Sequence, residues 1–379
     1  MNTQLKPTVS RLFRQWSQKR SSSSSKSLQA YPGIIMNKDV HPPHKQTQGD
    51  EIRAIFRGIN VDVLSYGPKD AIEVTNVAKH YFNTEGKNVR SNMTLLMAKA
   101  VSTHLGLQLD FNLFKDQMKV AQAAEMYHTA SLMHDDVLDH ADLRRGQPSV
   151  NSLWGELSSV YGGDFTMGLA TSEVAKLKND EVFHSMSKIL ESLVIGELQQ
   201  MSATRPLTDS SAHRFQRYLT KTFNKTASLM AYSCQSVAIL TECKAGPDRT
   251  LSKMAFNYGK DLGVAFQLVD DWLDFVADAE LLGKPSAADL KLGLATAPVL
   301  FASEEYPLEM EPLIHRKFAR PNDAERALKI VMKSEGLDKT KALAEQFCQS
   351  AIHEIRPLKS SLAKQNLEDL AELVLDRIK

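Results

Sequence analysis

An all-α fold is predicted for this 379-residue chain, and three observations carry the prediction. From Glu51 onward apolar residues recur at helical spacing between short breakers. No hairpin signal or period-2 strand pattern interrupts them. No internal repeat of short period suggests a solenoid. Residues 45–379 are therefore expected to form one helical domain, with 1–44 outside it.

The outlying segment has its own composition. Net charge for the whole chain is +1, which excludes a bulk basic surface for nucleic acid. Residues 1–38 hold seven Lys/Arg and no acid, leaving 39 basic and 45 acidic residues, a net of −6, for the rest. The same segment carries eight serines, five of them consecutive from Ser21 to Ser25. Leu5, Leu12, Phe13 and Trp16 can line one face of a short amphipathic helix. Arg-rich, Ser-rich and acid-free is the pattern of an organelle transit peptide, here mitochondrial; a disordered basic tail is the alternative. No continuous apolar core resembles a secretory signal, and no run of 18 or more apolar residues predicts a membrane span. Cys234, Cys243 and Cys348 show neither metal-ligand nor disulfide spacing and read as reduced thiols.

A polar, proline-containing stretch from His41 to Asp50 leads into the domain. Gly86-Lys87-Asn88-Val89-Arg90 sets two cations three apart just before an apolar helix over 93–101. Long helices are expected at 113–140, 180–203, 211–240, 249–276 and 337–356, separated by Gly, Pro and Asn-Asp breakers such as Asn179-Asp180 and Gly246-Pro247.

The helix predicted over 113–140 ends in the first chemical signal. Asp135 and Asp139 are four apart and share a helix face; Asp136 lies beside them. Aligned carboxylates repel one another unless a cation joins them, and hard oxygen ligands at this spacing suit Mg²⁺, which binds through one or two carboxylates plus substrate phosphates. Arg144 and Arg145 follow with planar forks suited to phosphate oxygens. A lone triad of this kind is more often a solvated helix face. The chain has a second, at Asp270, Asp271 and Asp274, set in an apolar segment where charge is costly unless ligated or paired. Two such triads imply two helices facing one another across metal ions.

With these motifs the chain resembles the trans-isoprenyl diphosphate synthases, the head-to-tail prenyltransferases marked by two aspartate-rich motifs, and most closely their mitochondrial long-chain (hexa- to decaprenyl) branch. The likeness runs from about Gly86 to Lys379 and includes Glu125-Met-Tyr-His128, Gly163-Asp-Phe165, Gly196-Glu-Leu-Gln-Gln200, Lys225-Thr-Ala-Ser228, Gly283-Lys-Pro285 and the stretch 289–298. It implies a bundle of about ten to thirteen mostly antiparallel helices around a central cavity. By the same resemblance Lys87, Arg90, His128 and Arg145 hold isopentenyl diphosphate. An allylic diphosphate is bound through three Mg²⁺ ions on Asp135, Asp136, Asp139, Asp270, Asp271 and Asp274, with Arg144, Lys225, Gln267 and Lys284 completing its cradle. Lys225, Thr226 and Gln267 steady the leaving group and the cation. Taken singly, Lys87 and Arg90 also suit solvated charges, His128 a core histidine and Lys225 a snorkelling surface lysine. Asp289 and Lys291 suit loop charges equally well and are left out of the site.

The positions four and five before Asp135 are Ser131 and Ala130, both small, where short-chain relatives carry bulky aromatics. A tail running down a helix of on the order of 40 Å accommodates about eight isoprene units, so a long product, the ubiquinone side chain, is expected. Tyr127, bulkier than the usual aliphatic, either narrows that path or points elsewhere. The resemblance leaves open a homodimer, a heteromer with a second synthase-like subunit, and peripheral membrane contact for product release. Two rivals are a non-catalytic partner subunit, which typically loses these aspartates, and a class I terpene cyclase, which usually lacks a second Asp-Asp-x-x-Asp.

Overall fold

Capping chemistry sets where the helices begin. In the computed structural model, Asp110 accepts a hydrogen bond from the Leu113 amide (2.9 Å) and so opens α2 (Phe111–Leu138), which follows α1 (Val89–Leu105). Ser149 opens the short α3 (Val150–Trp154) in the same way, and Ser361 opens the final helix, α14 (Leu362–Asp376). Such side-chain oxygens satisfy amides that the first helical turn leaves unpaired. Between them run α4 (Glu156–Ala175), α5 (Asp180–Met201), α6 (Ser211–Thr222), α7 (Ser228–Ala245) and α8 (Thr250–Leu282). These are followed by α9 (Ala288–Lys291), α10 (Ala297–Glu305), α11 (Pro307–His315), α12 (Asp323–Lys333) and α13 (Gly336–Glu354). The structure describes residues 77–78, 80–81, 89–144, 146–201, 211–246, 248–282 (backbone only from 277) and 287–378.

The all-α expectation holds, with two local departures. A hairpin of two-residue strands, Leu143–Arg144 against Gln147–Pro148, follows the first aspartate motif; strands this short have no periodicity to read. The helix expected over 211–240 is interrupted by a π-turn, Phe223–Ala227, that joins α6 to α7. The expected transit segment, together with Lys87, Arg145 and Lys284, lies outside the described residues. No described helix is long and apolar enough to cross a membrane.

Helices α7 and α8 form the centre. Apolar and small residues occupy nearly every face of α7, from Leu229 to Leu240, and nearly all are buried, as befits a helix surrounded by others. α8 packs along α7 and α13 and buries Tyr258, Leu262, Leu268, Val269 and Phe275. Its Gly263 lets the backbones close up, since a Cβ there would lie 2.6 Å from the Ala227 Cα. Polar ties cross the interior where the chain needs register. Gln117 on α2 donates to Ser102 on α1 (3.1 Å) and to Thr241 on α7 (2.9 Å). Tyr258 donates to the Leu367 carbonyl (2.7 Å), tying α14 to α8. Beyond Phe275 a second cluster, with Val299, Met310, Leu313 and Val331, packs α10–α12 onto the end of α8. The three cysteines are unpaired. The consequence for function is that the end of α2, the π-turn after α6 and the middle of α8 meet.

Candidate active site

The two aspartate triads share one design. In the first, Asp136 is fully buried; Tyr81 donates its hydroxyl to one oxygen and Arg144 its Nε (2.8 Å) and Nη2 to the other. In the second, Asp271 is buried as deeply and accepts from the Tyr218 hydroxyl (2.6 Å) and the Gln267 Nε2 (2.8 Å). The central aspartate of each motif thus anchors its helix from inside, where a buried carboxylate must be hydrogen-bonded. Asp136 and Asp271, expected among the metal ligands, are instead buried and taken up by these hydrogen bonds. The same bonding revises Arg144, whose fork is held by Asp136 and presents only its remaining N–H groups outward.

The outer aspartates face the other way. Asp135 lies 3.8 Å from the Lys225 ammonium, which also donates to Glu197 at 2.6 Å. Burial pushes the Asp135 carboxyl up to about 6; Lys225 pulls it down, and the charges of Glu197 and Asp139 push it up again. Asp139 is raised too, first by burial. It is the C-cap of α2, where the carbonyl end of the helix adds partial negative charge. On Lys225 burial opposes the charge, but Asp135 and Glu197 more than offset it, so the ammonium is held charged.

Glu197 lies in the stretch Gly196-Glu-Leu-Gln-Gln200 that carries the family likeness, but it was given no role in the expected site. A Cβ at Gly196 would lie 2.8 Å from the Lys225 amide nitrogen, so only glycine brings α5 against the π-turn. A π-turn offsets one residue relative to the α ladder and is frequent at functional sites; here it carries both Lys225 and Thr226. Thr226 donates to the Gln267 Oε1 (2.8 Å), and Gln267 passes the chain on to Asp271. Of the three residues expected to act together, Thr226 and Gln267 are hydrogen-bonded to one another, whereas Lys225 turns to Glu197 and Asp135.

Asp270 pairs with Arg377 (2.6 Å), whose guanidinium also lies over the Phe266 ring, 4.9 Å from its centroid. Asp274 accepts from the amides of Ala288 (2.9 Å) and Asp289 (3.1 Å). Asp289 itself, read as a loop charge, belongs to this group. Burial first, then the charges of Asp271 and Asp274, raise its carboxyl to about 7, and Asp139 of the first motif adds to the push. Charges from both motifs therefore act on Asp289. Lys221, one turn before Lys225, faces the same carboxylates; burial lowers its pKa against the pull of Asp271 and Asp289.

Two turns before Asp135 on the same face of α2, Arg90 donates to the His128 Nε2 at 3.1 Å, so two residues expected to share one diphosphate are adjacent. Arg90 also lies over Phe266. Tyr127 settles on the neighbouring helix: it is buried, and its hydroxyl meets Thr171 of α4 (3.1 Å). Gly163 makes room for His134, whose Nε2 a Cβ would approach to 2.3 Å, and the ring bonds the Val160 carbonyl (3.2 Å).

Residues 72–331 match the polyprenyl synthetase family. The chain belongs to that family. It is similar to the all trans-polyprenyl-diphosphate synthase PDSS1 of Mus musculus, 41% identical over 86% of this chain and 76% of that protein. A probable mitochondrial hexaprenyl pyrophosphate synthase of Neurospora crassa is 35% identical over 95% of this chain and 90% of its own length. Among solved structures, a polyprenyl synthase from Caulobacter crescentus complexed with calcium and isoprenyl diphosphate superposes with a TM-score of 0.72. It is 29% identical over 88% of this chain and 99% of its own. As a polyprenyl synthetase the chain is a trans-prenyltransferase, and the catalytic reading is supported over a non-catalytic partner.

Within a polyprenyl synthetase the donor set fits a hard divalent cation. Asp135, Asp139 and Glu197 confront a single described ammonium, Lys225. Asp271 and Asp289, with Asp274 beside them, confront Lys221 through the first two. Both groups hold surplus negative charge on oxygen donors, the chemistry that Mg²⁺ and Ca²⁺ take up. Among the described residues no three such side chains already form a closed cage. The arrangement suits an ion that completes its shell with water and substrate phosphate.

Proposed function

We propose that this polyprenyl synthetase condenses isopentenyl diphosphate head-to-tail onto an allylic diphosphate, repeatedly, to make a long-chain trans-polyprenyl diphosphate, the precursor of the ubiquinone side chain. The observation that carries this reading is the meeting of the two carboxylate groups, from α2 and α8, at the lysines of one helix and its π-turn.

Asp135, Asp139, Asp270 and Asp274 would hold the metal, three Mg²⁺ ions in all, with Asp270 first leaving Arg377. When bound, Mg²⁺ neutralises charge that develops on the departing diphosphate. Lys225 adds an ammonium aimed at the same oxygens, held charged by Asp135 and Glu197. Thr226 and Gln267, joined at 2.8 Å, present hydroxyl and amide dipoles beside the reacting carbon, fixed before the reaction and needing no reorganisation. Arg90 and His128, with Lys87 and Arg145, would bind isopentenyl diphosphate two turns up α2 from Asp135; Lys284 would join Arg144 on the allylic side. Apolar residues of α2 keep water from the cation.

Long product is favoured by Ala130 and Ser131, which present no ring where the tail must pass, and by Tyr127, tied to Thr171. The basic, acid-free N-terminus and relatives named mitochondrial support a mitochondrial address, with the matrix as the compartment proposed here. The neighbouring helices α4 and α5 expose Leu157, Tyr161, Val194, Leu198 and Met201, an apolar face suited to a second synthase-like subunit, identical or not.

The test is a product chain-length assay on the chain expressed alone, with labelled isopentenyl diphosphate, an allylic primer and Mg²⁺. Polyprenyl products longer than about six units are expected for an unobstructed helix of this length, and Ala130→Tyr should shorten them. Absence of any product with every primer would overturn the reading in favour of a partner-dependent or non-catalytic subunit.

A further inference from the structure

Lys221 is not among the residues that the motifs singled out, yet its surroundings are those of a ligand-binding cation. It lies four residues before Lys225, on the same side of α6 and the π-turn. Lys225 reaches the first motif, 3.8 Å from Asp135. Lys221 is directed at the second. Its ammonium sits over the ring of Tyr218, 5.7 Å from the centroid, and the hydroxyl of that same tyrosine binds Asp271 at 2.6 Å.

The other described cations at the site are already engaged. Arg144 holds Asp136, Lys225 holds Glu197, Arg377 holds Asp270, and Arg90 donates to His128. Lys221 makes no ion pair or hydrogen bond among the described residues; its acidic neighbours Asp271, Asp289 and Glu197 act on it only at longer range. A largely buried ammonium is costly unless something pairs with it. Here it stands between two carboxylate groups that themselves call for cations, so the missing partner is an anion that binds both the lysine and those cations. Diphosphate has that chemistry. The ring beneath the ammonium stabilises it without consuming its N–H donors.

We propose that Lys221 is a further diphosphate-binding residue, which grips the allylic diphosphate from the side of the second aspartate motif while Lys225 grips it from the side of the first. The lysines form a two-rung ladder on one helix, one rung for each motif. The proposal rests on the prenyl diphosphate synthase reading above.

The test compares Lys221→Met, Lys221→Arg and Lys225→Met with the unaltered enzyme, by calorimetric titration of inorganic pyrophosphate in Mg²⁺ buffer and by steady-state kinetics with each substrate varied. Loss of one charge-assisted contact should weaken pyrophosphate binding about tenfold or more in each Met variant. Lys221→Met should raise KM for the allylic diphosphate by a similar factor and leave KM for isopentenyl diphosphate within about twofold. Lys221→Arg should recover most of the loss. If Lys225→Met loses pyrophosphate and Lys221→Met does not, the proposal falls and the parent reading stands. A Lys221→Met loss that affects both substrates equally, with a lowered Tm, would mark the lysine as a structural counter-charge and also overturn the proposal. If neither Met variant changes pyrophosphate binding, the diphosphate reading fails along with it.

Discussion

The two aspartate motifs have the same spacing and the same inner anchor, a tyrosine hydroxyl on the central carboxylate, but the fold leaves them in different electrostatic states. The first ends a helix: Asp139 caps α2, and the carbonyl end of the helix repels the carboxylates placed there. Its one described ammonium, Lys225, is shared between Asp135 and Glu197. The second sits inside α8, where Arg377 meets Asp270 and two backbone amides meet Asp274. Both motifs hold surplus negative charge, but in the first it falls on the outer Asp135 and Asp139, whereas in the second the protein meets Asp270 and Asp274 and leaves the surplus on Asp289. Identical sequence patterns take different charge states according to their place in a helix.

Breaking the first motif should have the largest effect, and its two faces should respond in opposite ways. Asp135→Ala is expected to reduce kcat/KM by about a thousandfold or more with no loss of Tm, because it removes a carboxylate that the metal-free fold disfavours. Asp136→Ala should instead cost about 3 kcal/mol or more of folding stability, since it strips a buried charge from Arg144 and Tyr81. Denaturant unfolding of the two variants side by side checks the contrast; equal destabilisation would refute it.

The next effect concerns pH. The folded state keeps protons on Asp135 to about 6 and on Asp289 to about 7, against 3.8 for an unperturbed carboxyl. Because the folded state binds these protons more tightly than the unfolded chain, their contribution to stability is complete below about pH 4. It is lost as pH rises through both values. Metal-free protein should show a Tm that falls from pH 5 to pH 7.5, about the range spanned by these values. Mg²⁺ with pyrophosphate should restore more Tm at the upper end than at the lower. Differential scanning at several pH values measures this, and Asp289→Asn should flatten more of the slope than Asp135→Asn.

The smallest effect should come from the second motif. Arg377→Gln releases Asp270 from a half-exposed ion pair, worth at most about 1 kcal/mol. The Mg²⁺ concentration for half-maximal activity should fall by no more than about fivefold. A larger change would mean that the outer aspartates of the second motif are as dependent on added charge as those of the first.

The two aspartate triads were legible because their spacing repeats along the chain, whereas Lys225, Thr226 and Gln267 were named only through the family resemblance. Asp289 was visible but indistinguishable from a loop charge, since nothing local tells that α9 folds back onto Asp274. Arg377, Tyr81 and Tyr218 carry no motif, and their roles arise from partners more than fifty residues away. The π-turn was invisible, because one extra residue per turn leaves the apolar pattern on either side almost unchanged.

By itself the sequence determined that the chain is helical, that two acidic triads sit on helices, and that basic residues accompany them; periodicity and spacing are local properties. Which carboxylates turn inward to tyrosine and which outward to cations was decided only in the tertiary structure. That choice depends on burial and on the charge of groups distant in the chain, and neither exists until the helices pack.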